Sequence, residues 1–129
     1  MNFPEDLKYS KEHEWVRVNG DVATIGITDY AQDQLGEIVF VELPDEGEEF
    51  SKGDAFGVVE SVKSVSDAYS PVGGTIMELN DPVVDSPEIV NEDPYGEGWL
   101  VKIEISDKTE LKELMTAKQY EAFIKEESE

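Results

Sequence analysis

Phe56-Gly57-Val58-Val59-Glu60-Ser61-Val62, then Lys63-Ser64, then Val65-Ser66-Asp67-Ala68-Tyr69 sets one lysine between two short runs rich in β-forming residues. The pattern predicts two strands, Phe56 to Val62 and Val65 to Tyr69, with Lys63 at or near the bend between them. Lys63 is also the only cation between Gly53 and Val101, among ten acids: Asp54, Glu60, Asp67, Glu78, Asp81, Asp85, Glu88, Glu92, Asp93 and Glu97. Such a bend offers a single primary amine on a protruding element that another protein can grip. Acylation requires that amine neutral, as the nucleophile, and asks no chemistry of the chain itself. The residues alone leave the plainer reading open, an ordinary exposed lysine, and Val-Lys is not a preferred two-residue hairpin turn.

Outward from this hairpin, the rest of the chain also reads as short strands. Trp15 to Val18, Asn19-Gly20-Asp21 and Val22 to Ile27 predict a second hairpin, with Asn-Gly suited to the positive φ angles of a type I′ turn. Thr28 is placed to cap a short helix from Asp29 to Leu35, and Gly36 to end it. In Glu37 to Leu43, Ile38, Phe40 and Glu42 alternate with Val39, Val41 and Leu43, which predicts a strand covered on both sides. Pro44-Asp45-Glu46-Gly47, Lys52-Gly53-Asp54 and Gly73-Gly74 supply turns, the last before a strand from Thr75 to Leu79. Asn80 to Gly98 is acidic and rich in Pro and Gly, and reads as a long loop before a strand from Trp99 to Ile105. Asp107 with Glu110 and Thr116 with Gln119 resemble two capping boxes, opening C-terminal helices over about residues 107–126. The apolar spacing of Leu111, Leu114 and Met115, and of Tyr120, Phe123 and Ile124, reads as core packing rather than a partner-binding stripe. The last four residues, Glu126-Glu127-Ser128-Glu129, read as a solvated, mobile end. The expected fold is mainly β, a small sandwich or barrel in one domain over residues 1–129.

Composition narrows the chemistry. The chain of 129 residues is 39% apolar and carries a net charge of −21, enough apolar content to fold but with no basic stripe for nucleic acid or anionic membrane. Acidic surfaces of this kind serve solubility or the steering of basic partner proteins, and both readings stand. There is no cysteine, so disulfides, thiolate catalysis and thiolate metal sites are excluded together, and any sulfur redox chemistry needs an attached group. The only histidine is His13, with no Gly-x-Ser-x-Gly elbow, so a triad hydrolase is disfavoured. The glycines fit neither a P-loop nor a dinucleotide fingerprint, and the acids lack calcium-loop spacing. His13 beside Trp15 reads as a packed or hydrogen-bonded residue, with no metal expected. No long apolar run or signal-like N-terminus stands out, and a cytoplasmic, monomeric chain is expected.

Glu60-Ser61-Val62-Lys63-Ser64, Ser66-Asp67 and Ser70-Pro71-Val72-Gly73-Gly74 together resemble the attachment hairpin of the glycine cleavage system H protein family, the lipoyl carrier proteins. The likeness extends through Lys8-Tyr9, His13-Glu14-Trp15-Val16, Ala23 to Asp29, Leu35 to Pro44, Pro94-Tyr95, Gly98-Trp99-Leu100 and Ala117-Lys118-Gln119-Tyr120, nearly the whole chain. The resemblance implies a lipoyl/biotinyl-type hybrid fold, with two small antiparallel sheets facing each other, short flanking helices and a C-terminal helical tail. It implies lipoate in amide linkage to Lys63, which would supply the sulfurs a cysteine-free chain lacks. It also implies a non-catalytic shuttle with three partners. Glycine decarboxylase, a pyridoxal phosphate enzyme, passes an aminomethyl group to the arm. Aminomethyltransferase delivers the one-carbon unit to tetrahydrofolate, and dihydrolipoamide dehydrogenase reoxidises the arm.

By the same resemblance, Glu14 and Asp67 contact the aminomethyl end when the arm folds back, where carboxylates suit a protonated amine. Glu60, three residues before Lys63, helps the lipoylating enzyme recognise the hairpin. Some members carry serine where Glu12 stands and histidine where Gln34 stands, so the polar detail of the docking cleft departs here. Two lipoyl alternatives remain: a relay handing lipoate to 2-oxoacid dehydrogenase complexes, or a lipoyl domain of such a complex, which usually brings linkers and a catalytic domain. A biotin carrier typically flanks its lysine with methionines, whereas Val62 and Ser64 flank Lys63. An unmodified acidic interaction protein is the alternative from another class.

Overall fold

The computed structural model describes residues 1–127. Its strands are β1 (Lys8–Tyr9), β2 (Glu14–Asn19), β3 (Val22–Ile27), β4 (Ile38–Glu42), β5 (Glu49–Phe50), β6 (Ala55–Ser61), β7 (Val65–Tyr69), β8 (Gly74–Leu79) and β9 (Val101–Ile105). Every pairing is antiparallel, in a six-stranded sheet ordered β1-β2-β3-β9-β8-β5 and a three-stranded sheet ordered β4-β6-β7. Between the sheets lies the main core, with Val16, Ile25, Ile76 and Ile103 on one side and Val41, Val59 and Ala68 on the other. This is the expected mainly β, two-sheet fold.

Short helices pack beside the strands, Asp81–Asp85 against β4 and Ala117–Glu127 against β1. The α1 helix (Asp29–Leu35) starts at Thr28, whose Oγ1 accepts from Ala31 N–H, and stops at Gly36, with φ +83° and ψ −155°. Thr116 and Gln119 form the expected capping box, Gln119 Oε1 accepting from Thr116 N–H and Thr116 Oγ1 from Gln119 N–H. Reciprocal bonding of this kind satisfies two donors that the first turn of a helix leaves free. It opens α4 (Ala117–Glu127), which buries Ala117, Tyr120 and Ile124. These meet Leu7, Tyr9 and Trp15 in a second, aromatic core, where the Tyr9 and Tyr120 rings stack 4.8 Å apart. The tail stripe is therefore core packing, as expected. Gly26 lies under Trp15, where a Cβ would come within 2.8 Å of the indole.

Several local expectations need correction. The first hairpin turns on Gly20-Asp21, since Asn19 already pairs with Val22. Only Gly20 has positive φ, +65°, whereas a type I′ turn would need it at both central residues. In β4 a register shift between Ile38 and Phe40 breaks the alternation: Ile38 and Val41 are buried, while Val39 and Phe40 are exposed. An extra residue in one strand moves the following side chains to the other face. The stretch Asn80 to Gly98 is no plain loop. It holds α2 (Asp81–Asp85) and α3 (Ile89–Glu92), which bury Val83 and Val90 completely.

Asn80 Nδ2 donates to the Glu97 and Trp99 carbonyls, closing that segment on itself, and the following strand starts at Val101 rather than Trp99. Residues Lys108–Glu113 form a 3-10 helix, not an α-helix. Asp107 caps it through Thr109 N–H, but Glu110 accepts from Gly73 N–H instead of completing a capping box. Met115 lies in a bridge to Tyr9. Glu126 and Glu127 belong to α4, while Ser128 and Glu129 lie outside the described residues.

Candidate functional site

The β6–β7 hairpin presents Lys63 as the sequence suggested, and the structure explains how an unfavoured turn pair is held. Ser61 N–H donates to the Ser64 carbonyl at 2.7 Å, and Ser64 N–H donates to Ser61 Oγ at 3.0 Å. The two serines thus clamp the bend, and neither Val62 nor Lys63 adopts a positive φ. Val62 N–H reaches across to the Glu37 carbonyl at 3.0 Å, tying the bend to the start of β4. Val62, Lys63 and Ser64 are all exposed. The Lys63 side chain leans back over Gly36, at the end of α1.

That junction is held by a residue the sequence did not single out. Asn91, on α3, donates from Nδ2 to Gln32 Oε1 and to the Gly36 carbonyl, and its Oδ1 accepts from Ile38 N–H, each at 2.9 Å. One amide thereby fixes the end of α1, the turn at Gly36 and the start of β4. Nothing in the acidic stretch around Asn91 marks it in the sequence.

Between α1 and the edge strand β7 opens a cavity of about 280 Å³. Ile27, Ala31, Leu35 and Val59 give it apolar walls, and Glu12, Glu14, Asp67 and Glu127 bring carboxylates to it. Leu35 lines it next to Gly36, so the cavity adjoins the seat of Lys63. Gln34 and Glu12, the two departing positions, both border it. Asp67 is exposed, with β7 alternating to bury Ala68, so it stands at the rim.

Glu14 differs from the other acids: its residue is only 2% exposed. Ser10 Oγ–H donates to Oε1 at 2.6 Å and Tyr69 N–H to Oε2 at 3.2 Å. Burial outweighs both bonds, and the carboxyl pKa is pushed up to about 8. Glu14 therefore holds its proton at neutral pH, and a cation brought beside it would draw that proton off. It also borders a second cavity of about 260 Å³, lined by Tyr9, Lys52, Ser70 and Met115 among others.

His13, with φ +70°, borders the first cavity and is hydrogen-bonded as expected. Its Nδ1 lies 2.8 Å from the Tyr120 hydroxyl, which lies 2.7 Å from Thr28 Oγ1. Nε2 meets Glu127 at 3.1 Å. Burial lowers the imidazole pKa, against the pull of Glu127 and Glu12. The tail helix is thus bonded to the N-cap of α1. Glu60 sits half-buried in β6, paired with Phe40 on one side and Val65 on the other. Among the described residues, no cluster of three or more His, Asp or Glu is arranged to hold a metal ion, and no helix is long and apolar enough to cross a membrane.

These residues fit a lipoyl group: an exposed amine, a side-chain-free seat at Gly36 and an apolar cleft ending in carboxylates. Residues 7–127 match the family model described as Glycine cleavage H-protein. The chain is 58% identical over 126 residues to the glycine cleavage system H protein of Carboxydothermus hydrogenoformans, covering 98% of this chain and 97% of that one. It is 53% identical to that of Halothermothrix orenii over 126 residues, 98% of each chain. Among solved structures it is similar to a glycine cleavage system H protein from Mycobacterium marinum, with TM-score 0.85, 41% identity, and coverage of 92% of this chain and 95% of the other.

Proposed function

The chain belongs to the glycine cleavage H-protein family, and from that membership we propose that it is a non-catalytic carrier whose lipoyl arm is attached at Lys63. The observation that carries this reading is Lys63 itself, an exposed amine on a serine-clamped bend beside an apolar cleft. When bound, the lipoyl group supplies a disulfide that is reduced as an aminomethyl group is taken up and is restored by reoxidation.

The chain's own residues hold and shield. Val62 N–H and the two serines keep the bend fixed, so the amine is presented at a defined place. Ile27, Ala31, Leu35 and Val59 exclude water from the arm, while Glu14 and Asp67 receive the cationic end. Beside a cation there, Glu14 would release its proton to solvent and remain as a carboxylate held by Ser10 Oγ–H and Tyr69 N–H. Glu60 marks the hairpin for the lipoylating enzyme. The partners are glycine decarboxylase, aminomethyltransferase and dihydrolipoamide dehydrogenase, and the compartment is the cytoplasm.

Peptide mass spectrometry of the protein from its native host tests the attachment. A lipoyl increment on Lys63 is expected, together with glycine turnover when the three enzymes are added. Lys63→Arg should abolish both, since a guanidinium stays protonated and cannot accept the acyl group. An unmodified Lys63, in cells that lipoylate other proteins, would sink the reading.

A further inference from the structure

We propose that the exposed apolar face formed by Val39, Phe40, Val62 and Val65 is the seat of the enzyme that acylates Lys63, and that this enzyme meets it with an apolar patch bordered by basic side chains. The inference rests on the carrier reading and adds to it a surface remote from the arm cleft in role. Val39 is 52% exposed, Phe40 43%, Val62 70% and Val65 63%, four of the nine large apolar residues left exposed among the described residues. Alternation from buried Ile38 turns Val39 outward, and the shift in β4 brings Phe40 to the same side. Phe40 pairs with Glu60, and Glu60 with Val65, so these three share one row across the sheet. Val62 precedes the lysine and Val65 follows it by two residues. An apolar group gathered on a surface this strongly charged marks a place of contact.

Charge says what kind of partner fits. Glu37, Glu42 and Glu60 border the apolar residues, and none of them makes an ion pair among the described residues. A partner with basic side chains around an apolar centre would satisfy both.

Chemistry selects the occupant. Enzymes that use a swinging arm need only reach its far end. The acylating enzyme must bring an activated acyl donor to Nζ before any arm exists, and so must cover the bend. With an acyl-adenylate donor, the Nζ lone pair attacks the carbonyl carbon. The C–N bond forms, the C–O bond to phosphate breaks with its electron pair leaving on AMP, and one nitrogen proton passes to a base of the enzyme.

The test follows initial rates of lipoylation of the unmodified protein by intact mass spectrometry, using an acyl-adenylate-forming lipoate ligase with ATP and lipoate. Val39→Thr with Phe40→Thr should lower kcat/KM about tenfold, chiefly through KM. For the original chain KM should rise with salt. Val84→Thr, equally exposed but on α2, should change nothing. If the double variant does not fold, Val62→Ser in the bend carries the test. An unchanged rate overturns the proposal, as does an equal loss in glycine turnover by the fully lipoylated variant, which would assign the face to other enzymes. Failure of the original chain to be lipoylated at all would instead overturn the carrier reading.

Discussion

Lys63 lies over Gly36 across two elements: a methyl group built on Gly36 would lie 3.4 Å from Lys63 Cε and 3.9 Å from Nζ. The lysine stem thus lies above the glycine that ends α1.

Gly36→Ala should lower stability by about 1–3 kcal/mol, because φ +83° with ψ −155° is a conformation almost confined to glycine. The contact with Cε is itself ordinary, so the cost comes from the backbone. Denaturant unfolding reads it. A fall in the rate of Lys63 acylation should accompany it, since relaxing the turn moves the seat.

Glu14 makes the fold less stable with rising pH. Its unfolded value is 4.5 and its folded value about 8. Below 4.5 both states hold the proton. Between the two values only the folded state does, so each pH unit there removes up to about 1.4 kcal/mol of stability. Glu14→Gln, neutral at every pH, should flatten this part of the stability profile. A profile equally steep in the variant would assign the dependence to other groups.

His13 should be neutral at pH 7 with its proton on Nε2. Donation from Nε2 to Glu127 leaves Nδ1 to accept from the Tyr120 hydroxyl, Tyr120 to accept from Thr28, and Thr28 to accept from Ala31 N–H, a chain in which every group is satisfied. Nitrogen chemical shifts of the ring distinguish this tautomer from the other. Burial lowers the folded pKa below 6.5. Stability from this site is complete above 6.5 and falls as the pH drops below it toward the folded value. Tyr120→Phe should cost about 1–3 kcal/mol by stranding its buried partners.

Asn91→Ala removes three hydrogen bonds at once and should cost about 2–3 kcal/mol. Faster amide exchange at Ile38 is the local signature. Asn91→Asp keeps the acceptor for Ile38 but loses both donations, so Ile38 should remain more protected than in the alanine variant.

What could be read from the sequence follows from where the signals are local. The Lys63 hairpin, the Thr28 cap, the Gly36 stop and the Thr116–Gln119 box each depend on a few adjacent residues, and each appears where its chemistry places it. The Ser61–Ser64 clamp was local too, but two serines flanking a bend have many uses. The α2 and α3 helices were hidden because acids, prolines and glycines dominate Asn80 to Gly98. Burial of Val83 and Val90, one residue in each helix, overrides that composition.

The order and spacing of the hairpins, the lone amine among acids and the absence of cysteine were fixed by the sequence, because side-chain type and short-range backbone preference are properties of neighbours along the chain. Tertiary structure alone decided that Glu14 is buried and protonated while Asp67 stays at the rim, that Asn91 joins α1 to β4, and that Phe40 faces outward beside Val39. Proton affinity, long-range hydrogen bonds and the face a bulged strand presents depend on what the other sheet and helices bring near, and residues far apart in the chain determine that.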